Sequence, residues 1–180
     1  MKTTALLIVA FFLALTVNAQ IQLVKYVGKD SKKFAMGYGG SLKVAHSFND
    51  IDDITAEIGA NIINEKKEGS RFGIFTVPLK LGYRFKISRS ATGLYVEPQA
   101  GYNLFGAHSY YSQTELKTVD KDLKGILISP GIGYLFGNLG DVQFNLEARY
   151  DINFVKGGSY NFLVFRLSHN FSFGKKSSDE

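Results

Sequence analysis

The amino-acid sequence predicts an all-β fold, an eight-stranded antiparallel up-and-down transmembrane β-barrel. Three observations support this fold: an N-terminal export signal, segments that alternate between apolar and polar residues, and polar faces of small residues with charges of both signs. In the most regular segment, 142–154, every second residue from Val142 to Phe154 is apolar and the residues between them are polar. Because successive side chains of a strand point to opposite faces, this segment has one apolar and one polar surface.

Residues 1–19 have the features of a signal peptide. Lys2 provides a positive charge ahead of an apolar run, 5–17, that is too short to span a bilayer as a helix. The small residue Ala19 ends a cleavage motif, so we expect cleavage before Gln20. A buried helix or an uncleaved anchor is the alternative interpretation of this run. The sequence then predicts one barrel domain, 20–173, and a polar C-terminal tail, 174–180.

The composition excludes one kind of chemistry and indicates the charge of the expected partners. The chain has no cysteine, which excludes disulfide and thiol chemistry. It has 21 basic and 16 acidic residues, a formal net charge of +5. For an exported protein this modest excess favours anionic lipid headgroups or acidic polysaccharide as partners, and not nucleic acid.

Alternation also predicts the other strands. Segment 20–28 is the least regular, and we assign it because a bacterial barrel with both ends in the periplasm needs an even number of strands. The eight predicted strands are 20–28, 36–44, 54–62, 75–87, 94–104, 126–136, 142–154 and 163–173.

The lengths of the connections predict the topology, since these barrels have short periplasmic turns and longer extracellular loops. The longest connection, 106–124, is expected outside the cell, where it would be mobile, open to proteases and available to an extracellular partner. The other predicted extracellular connections are 29–33, 64–71 and 156–159. The predicted periplasmic turns are 47–53, 88–92 and 137–140.

The contents of the two faces separate a membrane barrel from a soluble one. A lipocalin-like barrel also alternates, but its apolar face points inward and its outer face carries charges. Here the polar face suits a narrow lumen that is filled by its own side chains, with small residues inside and aromatic residues outside. The glycines expected inside are Gly37, Gly39, Gly59, Gly82, Gly101, Gly131 and Gly133. Two aromatic girdles are expected, Tyr83, Phe85, Tyr134, Phe136, Phe171 and Phe173 near the periplasm and Phe75, Tyr102, Tyr150 and Phe154 near the outside.

Several short motifs carry a resemblance to a known family. They are TVPLKLGY at 76–83, YVEPQAGY at 95–102, GIGY at 131–134, LEARY at 146–150 and the aromatic final strand. In this order they resemble the small eight-stranded outer-membrane β-barrel domain proteins of Gram-negative bacteria. The resemblance implies an outer-membrane location, contact with outer-membrane lipids and lipopolysaccharide, insertion by the barrel assembly machinery, and no catalytic residues. Such barrels usually end on the aromatic residue that this machinery reads, whereas here Phe173 is followed by 174–180.

The charged residues of the polar faces predict a salt-bridge network inside the lumen. An ion path is the alternative, but eight strands leave no open channel. Lys43 and Lys86 are expected to reach water at the rims. The residues expected in the network are Glu57, Lys80, Arg84, Glu97, Glu147, Arg149, Asp151 and Arg166.

The histidines do not predict an enzyme. Some eight-stranded barrels modify lipid A with a Ser and a His, but the adjacent Ser168 and His169 must point to opposite faces of a strand. We interpret His169 as an interfacial residue and His108 as a solvated loop residue. No spacing of histidines and acids indicates a metal site, and Gly37–Gly40 leads into a strand, so no cofactor is predicted.

The three prolines oppose the strand assignment, because each removes a hydrogen bond from the ladder. We therefore expect local bulges at Pro78, Pro98 and Pro130.

The sequence thus predicts a non-enzymatic outer-membrane barrel with a structural role or a surface-binding role through its extracellular loops. The alternatives are a periplasmic lipocalin-like carrier of an apolar ligand and a lipid A-modifying barrel enzyme.

Overall fold

The computed structural model describes residues 16–47, 52–66, 73–88, 92–112, 117–139 and 142–171. Most of the predicted signal peptide, the predicted tail and the predicted girdle residue Phe173 lie outside these ranges, so both domain boundaries stay predictions. The described residues form one antiparallel sheet of 11 β-segments and a short 3-10 turn, η1. The elements are β1 (Thr16–Val27), η1 (Ser31–Lys33), β2 (Gly37–Ser47), β3 (Asp52–Asn64), β4 (Gly73–Lys86), β5 (Gly93–Val96), β6 (Gln99–Ser112), β7 (Lys117–Asp122), β8 (Gly125–Ser129), β9 (Gly131–Leu139), β10 (Val142–Val155) and β11 (Gly158–Phe171).

The 11 segments make a closed ring of eight strands. β5 and β6 follow each other along the same side of β4, so they are two halves of one strand. β8 and β9 likewise follow each other along β10, and β7 continues β8 upward beside β6. The ring closes where β1 pairs with β11, and the eight-stranded up-and-down barrel is confirmed.

The closing seam also confirms the first strand. β1 contains the predicted segment 20–28 up to Val27 and pairs on one side with β2 and on the other with β11. It begins earlier than predicted, at Thr16, so it includes the last residues of the predicted signal peptide. Cleavage before Gln20 remains a prediction.

The prolines fit the sheet in two ways. A bulge lies between Val77 and Pro78, where the register against β6 shifts, as predicted. At the other two prolines the prediction of a bulge is wrong, because the ladder is interrupted instead. The neighbouring pairs, Gln99 with Ser129 and Val96 with Ile132, place Pro98 directly opposite Pro130.

The connection 106–124 is not the irregular loop that the sequence predicted. β6 continues to Ser112 and pairs with β7 from Ala107–Asp122 to Ser112–Lys117, which makes a β-hairpin that extends the wall. A strand that extends above the membrane needs no lipid-facing apolar side, so alternation does not reveal it in the sequence. Only 113–116 of this connection lies outside the described residues.

The apolar face of the sheet points outward, as predicted. Ile21 is 75 % exposed and Leu81 is 63 % exposed, and the girdle residues Tyr83, Tyr134 and Phe154 also lie on the outer surface. A lipocalin-like carrier needs the opposite arrangement, so this alternative does not fit the fold. Among the described residues, no helix is long and apolar enough to cross a membrane.

Candidate functional site in the lumen and at the extracellular end

The interior of the barrel contains a layer of ionised side chains. We call it the charged layer. Within the described ranges it holds five basic and five acidic residues that are almost fully buried, so its formal charge is zero. Its members are Lys43, Lys80, Arg84, Arg149, Arg166, Asp53, Glu57, Glu97, Glu147 and Asp151.

Glu97 is one of the two centres of the charged layer. Its carboxylate lies 2.7 Å from Lys43 Nζ, 2.8 Å from Arg84 Nε and 3.2 Å from Arg149 Nη2. Thr55 also donates its hydroxyl to this carboxylate at 2.9 Å. One side chain therefore joins β2, β3, β4 and β10 across the lumen, next to the proline interruption between β5 and β6.

Glu57 is the second centre. Arg166 donates from two nitrogens to the two carboxylate oxygens of Glu57, both at 2.8 Å, and Lys80 Nζ lies 3.0 Å from the same carboxylate. Arg166 also donates to the side-chain oxygen of Gln22 at 3.0 Å. Such two-pronged pairs fix the relative height of strands more firmly than single contacts do.

The charged layer confirms the predicted salt-bridge network and corrects one residue. Lys43 does not reach water: it is fully buried, because β2 continues past the predicted end at Val44 and keeps this residue inside the barrel. The side chain of Lys86 is 14 % exposed and lies 3.0 Å from Asp53, close to the rim.

Tyr95 is an aromatic residue inside the charged layer, where the sequence predicted small residues. Its ring is fully buried and packs against Gly133 on the neighbouring strand, where a Cβ atom would collide with it. Its hydroxyl donates to Asn145 at 2.8 Å, and Arg84 stacks 4.5 Å from the ring centre. The sequence placed Tyr95 on the polar face but gave no reason for an aromatic ring there.

Above the charged layer the interior becomes apolar. We call this cluster the apolar plug. It lies at the end of the barrel that carries the longer connections, which we take as the extracellular end. The sequence did not predict it. Its members are Val24, Phe34, Ile63, Ile74, Leu123, Val155, Phe162 and Val164.

Phe34 is the part of the apolar plug that comes from a connection. The turn η1 folds the β1–β2 connection over the lumen, and Phe34 points down with 2 % of its surface exposed. Its backbone pairs with Glu65, and Lys25 Nζ donates to its carbonyl oxygen at 3.0 Å. Its ring packs edge-on against Tyr26, with centroids 5.1 Å apart.

His108 is not a solvated loop residue, so this prediction was wrong. It lies in β6, where the wall extends above the apolar plug. Its Nδ1 is 3.1 Å from the Tyr160 hydroxyl, and its ring packs edge-on against Phe34. The Nζ of Lys121 lies over the ring of Tyr160, 5.1 Å from its centre.

The two ends of the barrel differ in charge. The four predicted extracellular connections contain ten basic and six acidic residues, whereas the predicted periplasmic turns contain one basic and three acidic residues. Lys29, Lys32, Lys66 and Lys156 are exposed at the basic end. Lys33 is compensated, since its Nζ lies 2.8 Å from Asp30; this contact lowers the pKa of Asp30 and raises the pKa of Lys33.

The residues of the enzyme alternative do not meet. Ser168 is buried in the lumen, whereas the His169 ring packs against Phe144 with centroids 5.3 Å apart. They point to opposite faces, as predicted. Among the described residues no group of three potential metal ligands lies together.

A closed sheet with an apolar outer surface and a charged, filled interior defines a membrane-spanning β-barrel. No family model matches this chain, and no curated protein matches it.

Solved structures of small outer-membrane barrels share the fold. Neisserial surface protein A matches with a TM-score of 0.62 and 13 % identity, over 89 % of this chain and 97 % of that one. The attachment invasion locus protein Ail of Yersinia pestis, in complex with the heparin analogue sucrose octasulfate, matches with a TM-score of 0.59 and 12 % identity. The match covers 87 % of this chain and 97 % of that one. The N-terminal barrel domain of Pseudomonas aeruginosa OprF matches with a TM-score of 0.57 and 14 % identity, over 87 % of this chain and 97 % of that one. The chain therefore has the fold of the small outer-membrane β-barrels of Gram-negative bacteria, and its apolar belt fits that membrane.

Proposed function

We propose that this protein is a non-enzymatic, non-conducting outer-membrane barrel that binds an anionic polysaccharide at its extracellular end. The observation that carries the proposal is the basic excess at that end, on a barrel whose interior is closed by paired charges and an apolar plug. A filled lumen leaves the outer end as the surface where a partner from outside can bind. The wall extension formed by β6 and β7 enlarges this surface.

The chemistry of the exposed lysines favours sulfate, phosphate or carboxylate groups on a flexible chain. Lys29 precedes η1, Lys32 lies within it, Lys66 follows β3, and Lys156 lies in the β10–β11 turn. Ammonium groups spread over several connections match a repeating anion better than one compact ligand, because each contact is separate and exposed. The complex of Ail with a sulfated sugar supports this choice, since it involves a barrel of the same fold.

Binding to immobilised heparin and to lipopolysaccharide tests the proposal. The refolded protein should bind both in low salt and elute as the salt concentration rises, because exposed charges are screened. Replacing Lys29, Lys32, Lys66 and Lys156 together by Gln should weaken binding at least about fourfold, if each exposed contact contributes about 0.2 to 1 kcal/mol.

Lys33→Gln is the matched control. This residue lies in the same connection but is paired with Asp30, so its loss should change binding less than the loss of Lys32 alone. Equal binding by the wild type and by the variant with all four lysines replaced would refute polysaccharide binding at this end. Planar bilayers test the other half of the proposal, and a steady single-channel current would contradict a closed lumen.

A purely structural role is the second candidate. The neutral, cross-linked charged layer favours it, because such a lumen stiffens the wall without any ligand. A barrel that stabilises the envelope but binds neither heparin nor lipopolysaccharide would support this candidate.

A further inference from the structure

The lipid-facing wall has a groove where β8, β9, β10 and β11 meet. The groove has a volume of about 350 Å³, is open toward the outside, and is lined by Pro130, Gly131, Ile132, Ala148, Arg149, Tyr150 and Leu163. The side chains of Pro130, Ile132, Ala148, Tyr150 and Leu163 belong to the apolar outer surface. Gly131 and Arg149 alternate with them and belong to the inner face, where the Arg149 side chain is buried. The groove is therefore a concave, largely apolar site on the outside of the barrel, and the charged layer lies directly beneath it at Arg149.

Two features of the sequence create the groove. Ala148 is the smallest residue on the outer face of β10, between Leu146 and Tyr150. Its cross-strand partners, Ile132 and Phe165, are both large and stand on either side of it. A small residue among large ones leaves a depression in the surface.

The second feature is the interruption of the ladder at Pro130. This residue accepts a backbone hydrogen bond from Tyr150 N at 3.0 Å, but it has no N–H to return one to β10. The ring of Pro130 lies on the outer surface and forms one end of the groove. Its short, rigid side chain cannot fold over the depression beside it.

The groove faces lipid in the half of the barrel nearer the extracellular end. Leu163, at one end of the groove, lies between Phe162 and Val164, which both belong to the apolar plug. Ile132, which lines the groove, and Leu146 beside it are 51 % and 55 % exposed on the outer face. At this depth in a membrane, the molecules available to fill a concave apolar site are the acyl chains of lipids.

We propose that this groove is a binding site for one acyl chain of an outer-leaflet lipid. Transfer of an acyl chain from bulk lipid to the groove gains no hydrophobic energy, since lipid tails are as apolar as leucine. The preference must come from close packing against a concave surface, so it depends on shape and is modest. Filling the depression over Ala148 with a larger side chain should therefore remove this preference.

Fluorescence quenching can detect such a site, because the chain contains no tryptophan. Leu163→Trp places one reporter in the groove, and Leu42→Trp places one on the outer face of β2, where the wild-type leucine is 57 % exposed. Both proteins are titrated in detergent with phosphatidylcholine that has brominated acyl chains. We expect the groove reporter to reach half-quenching at an about fivefold lower lipid-to-protein ratio, the preference expected from about ten additional close carbon contacts.

Adding Ala148→Phe to the Leu163→Trp protein should bring its titration to that of the β2 reporter. Ala60→Phe, on the exposed face of β3, is the matched control and should leave the early quenching intact. Heat-dependent gel migration verifies that each variant is folded.

Identical titrations for the two reporters would overturn the proposal, as would early quenching that survives Ala148→Phe. Dimers that disappear with Ala148→Phe would also overturn it, because a second copy would then occupy the groove. None of these outcomes depends on polysaccharide binding at the extracellular end.

Discussion

The charged layer and the apolar plug occupy the same lumen and are built by the same strands, yet their chemistry is opposite. β11 shows the contrast most directly, since Val164 and Arg166 are two residues apart on its inner face and are 1 % and 2 % exposed. Facing the interior therefore does not determine whether a side chain is polar. A narrow barrel requires that its interior be filled, and either paired charges or apolar packing can fill it.

The two regions differ in how they tolerate change. In the charged layer each ion has several partners, so the loss of one partner leaves other buried charges uncompensated. In the apolar plug the loss of one side chain leaves a cavity that its neighbours can partly fill. Single substitutions should therefore cost more in the charged layer than in the plug.

The largest effect is expected from Glu97→Gln, which keeps the shape of the side chain but removes its charge. Lys43, Arg84 and Arg149 would lose a shared counter-ion, at a cost of about 3 to 5 kcal/mol in the free energy of unfolding. Urea titration of the protein in lipid vesicles, followed by circular dichroism, measures this cost. Asp122→Asn is the control, because its pair with Lys124 is exposed at 3.8 Å. A loss for Glu97→Gln no larger than the control would contradict the role of the charged layer.

Phe34→Ala tests the apolar plug in the same assay. Truncation of a buried phenylalanine costs about 3 to 5 kcal/mol, and we expect a value at the lower end because the β1–β2 connection can move inward. Phe105→Ala, on the outer surface and 51 % exposed, should cost less. If Phe34→Ala cost more than Glu97→Gln, the comparison between the two regions would be reversed.

Leu146→Arg tests the wall that separates the lumen from lipid. Its neighbour Glu147 is buried in the charged layer, whereas Leu146 is 55 % exposed on the outside. An arginine facing lipid near the bilayer midplane costs about 2 to 4 kcal/mol of folding free energy. Leu146→Met should be close to neutral, and wild-type stability of the arginine variant would mean that the faces are reversed.

The smallest effect is expected from Tyr160→Phe, which removes the hydroxyl 3.1 Å from His108 Nδ1. Loss of this hydrogen bond should cost about 0.5 to 1.5 kcal/mol, because the ring keeps its packing near the rim. A cost as large as that of Glu97→Gln would show that the polar contact, and not apolar packing, holds the plug together.

The strands and their faces could be predicted from the sequence, because one face meets lipid and alternation records this. The prediction was successful for β10, where all positions from Val142 to Phe154 alternate. It was unsuccessful for β7 (Lys117–Asp122), since above the membrane neither face is buried in lipid. At the opposite, periplasmic end of the barrel, β2 was ended too early at Val44, and this led to the wrong placement of Lys43.

The sequence also contains a signal for the apolar plug, but the alternation of apolar and polar residues obscures it. Where both faces of a strand are apolar, hydrophobic residues become consecutive, as in Ile62–Ile63, Ile74–Phe75, Phe154–Val155 and Phe162–Phe165. All these runs lie at the extracellular ends of strands, which would have indicated a second apolar layer inside. The opposition of Pro98 and Pro130 left no such signal, because it depends on the register between two strands that are distant in sequence.

The seam between β1 and β11 links the maturation of this protein to its closure. The ladder begins with Val17 paired to Phe171, and its first three pairs use residues that precede Gln20. Removal of the predicted signal peptide would therefore shorten β1, while His169 to Phe171 would keep only β10 as a neighbour. The precursor and the mature chain would have the same fold, but the mature chain would have fewer paired residues between β1 and β11 at the periplasmic edge. Signal peptidase would then act on the closure of the barrel as well as on its export.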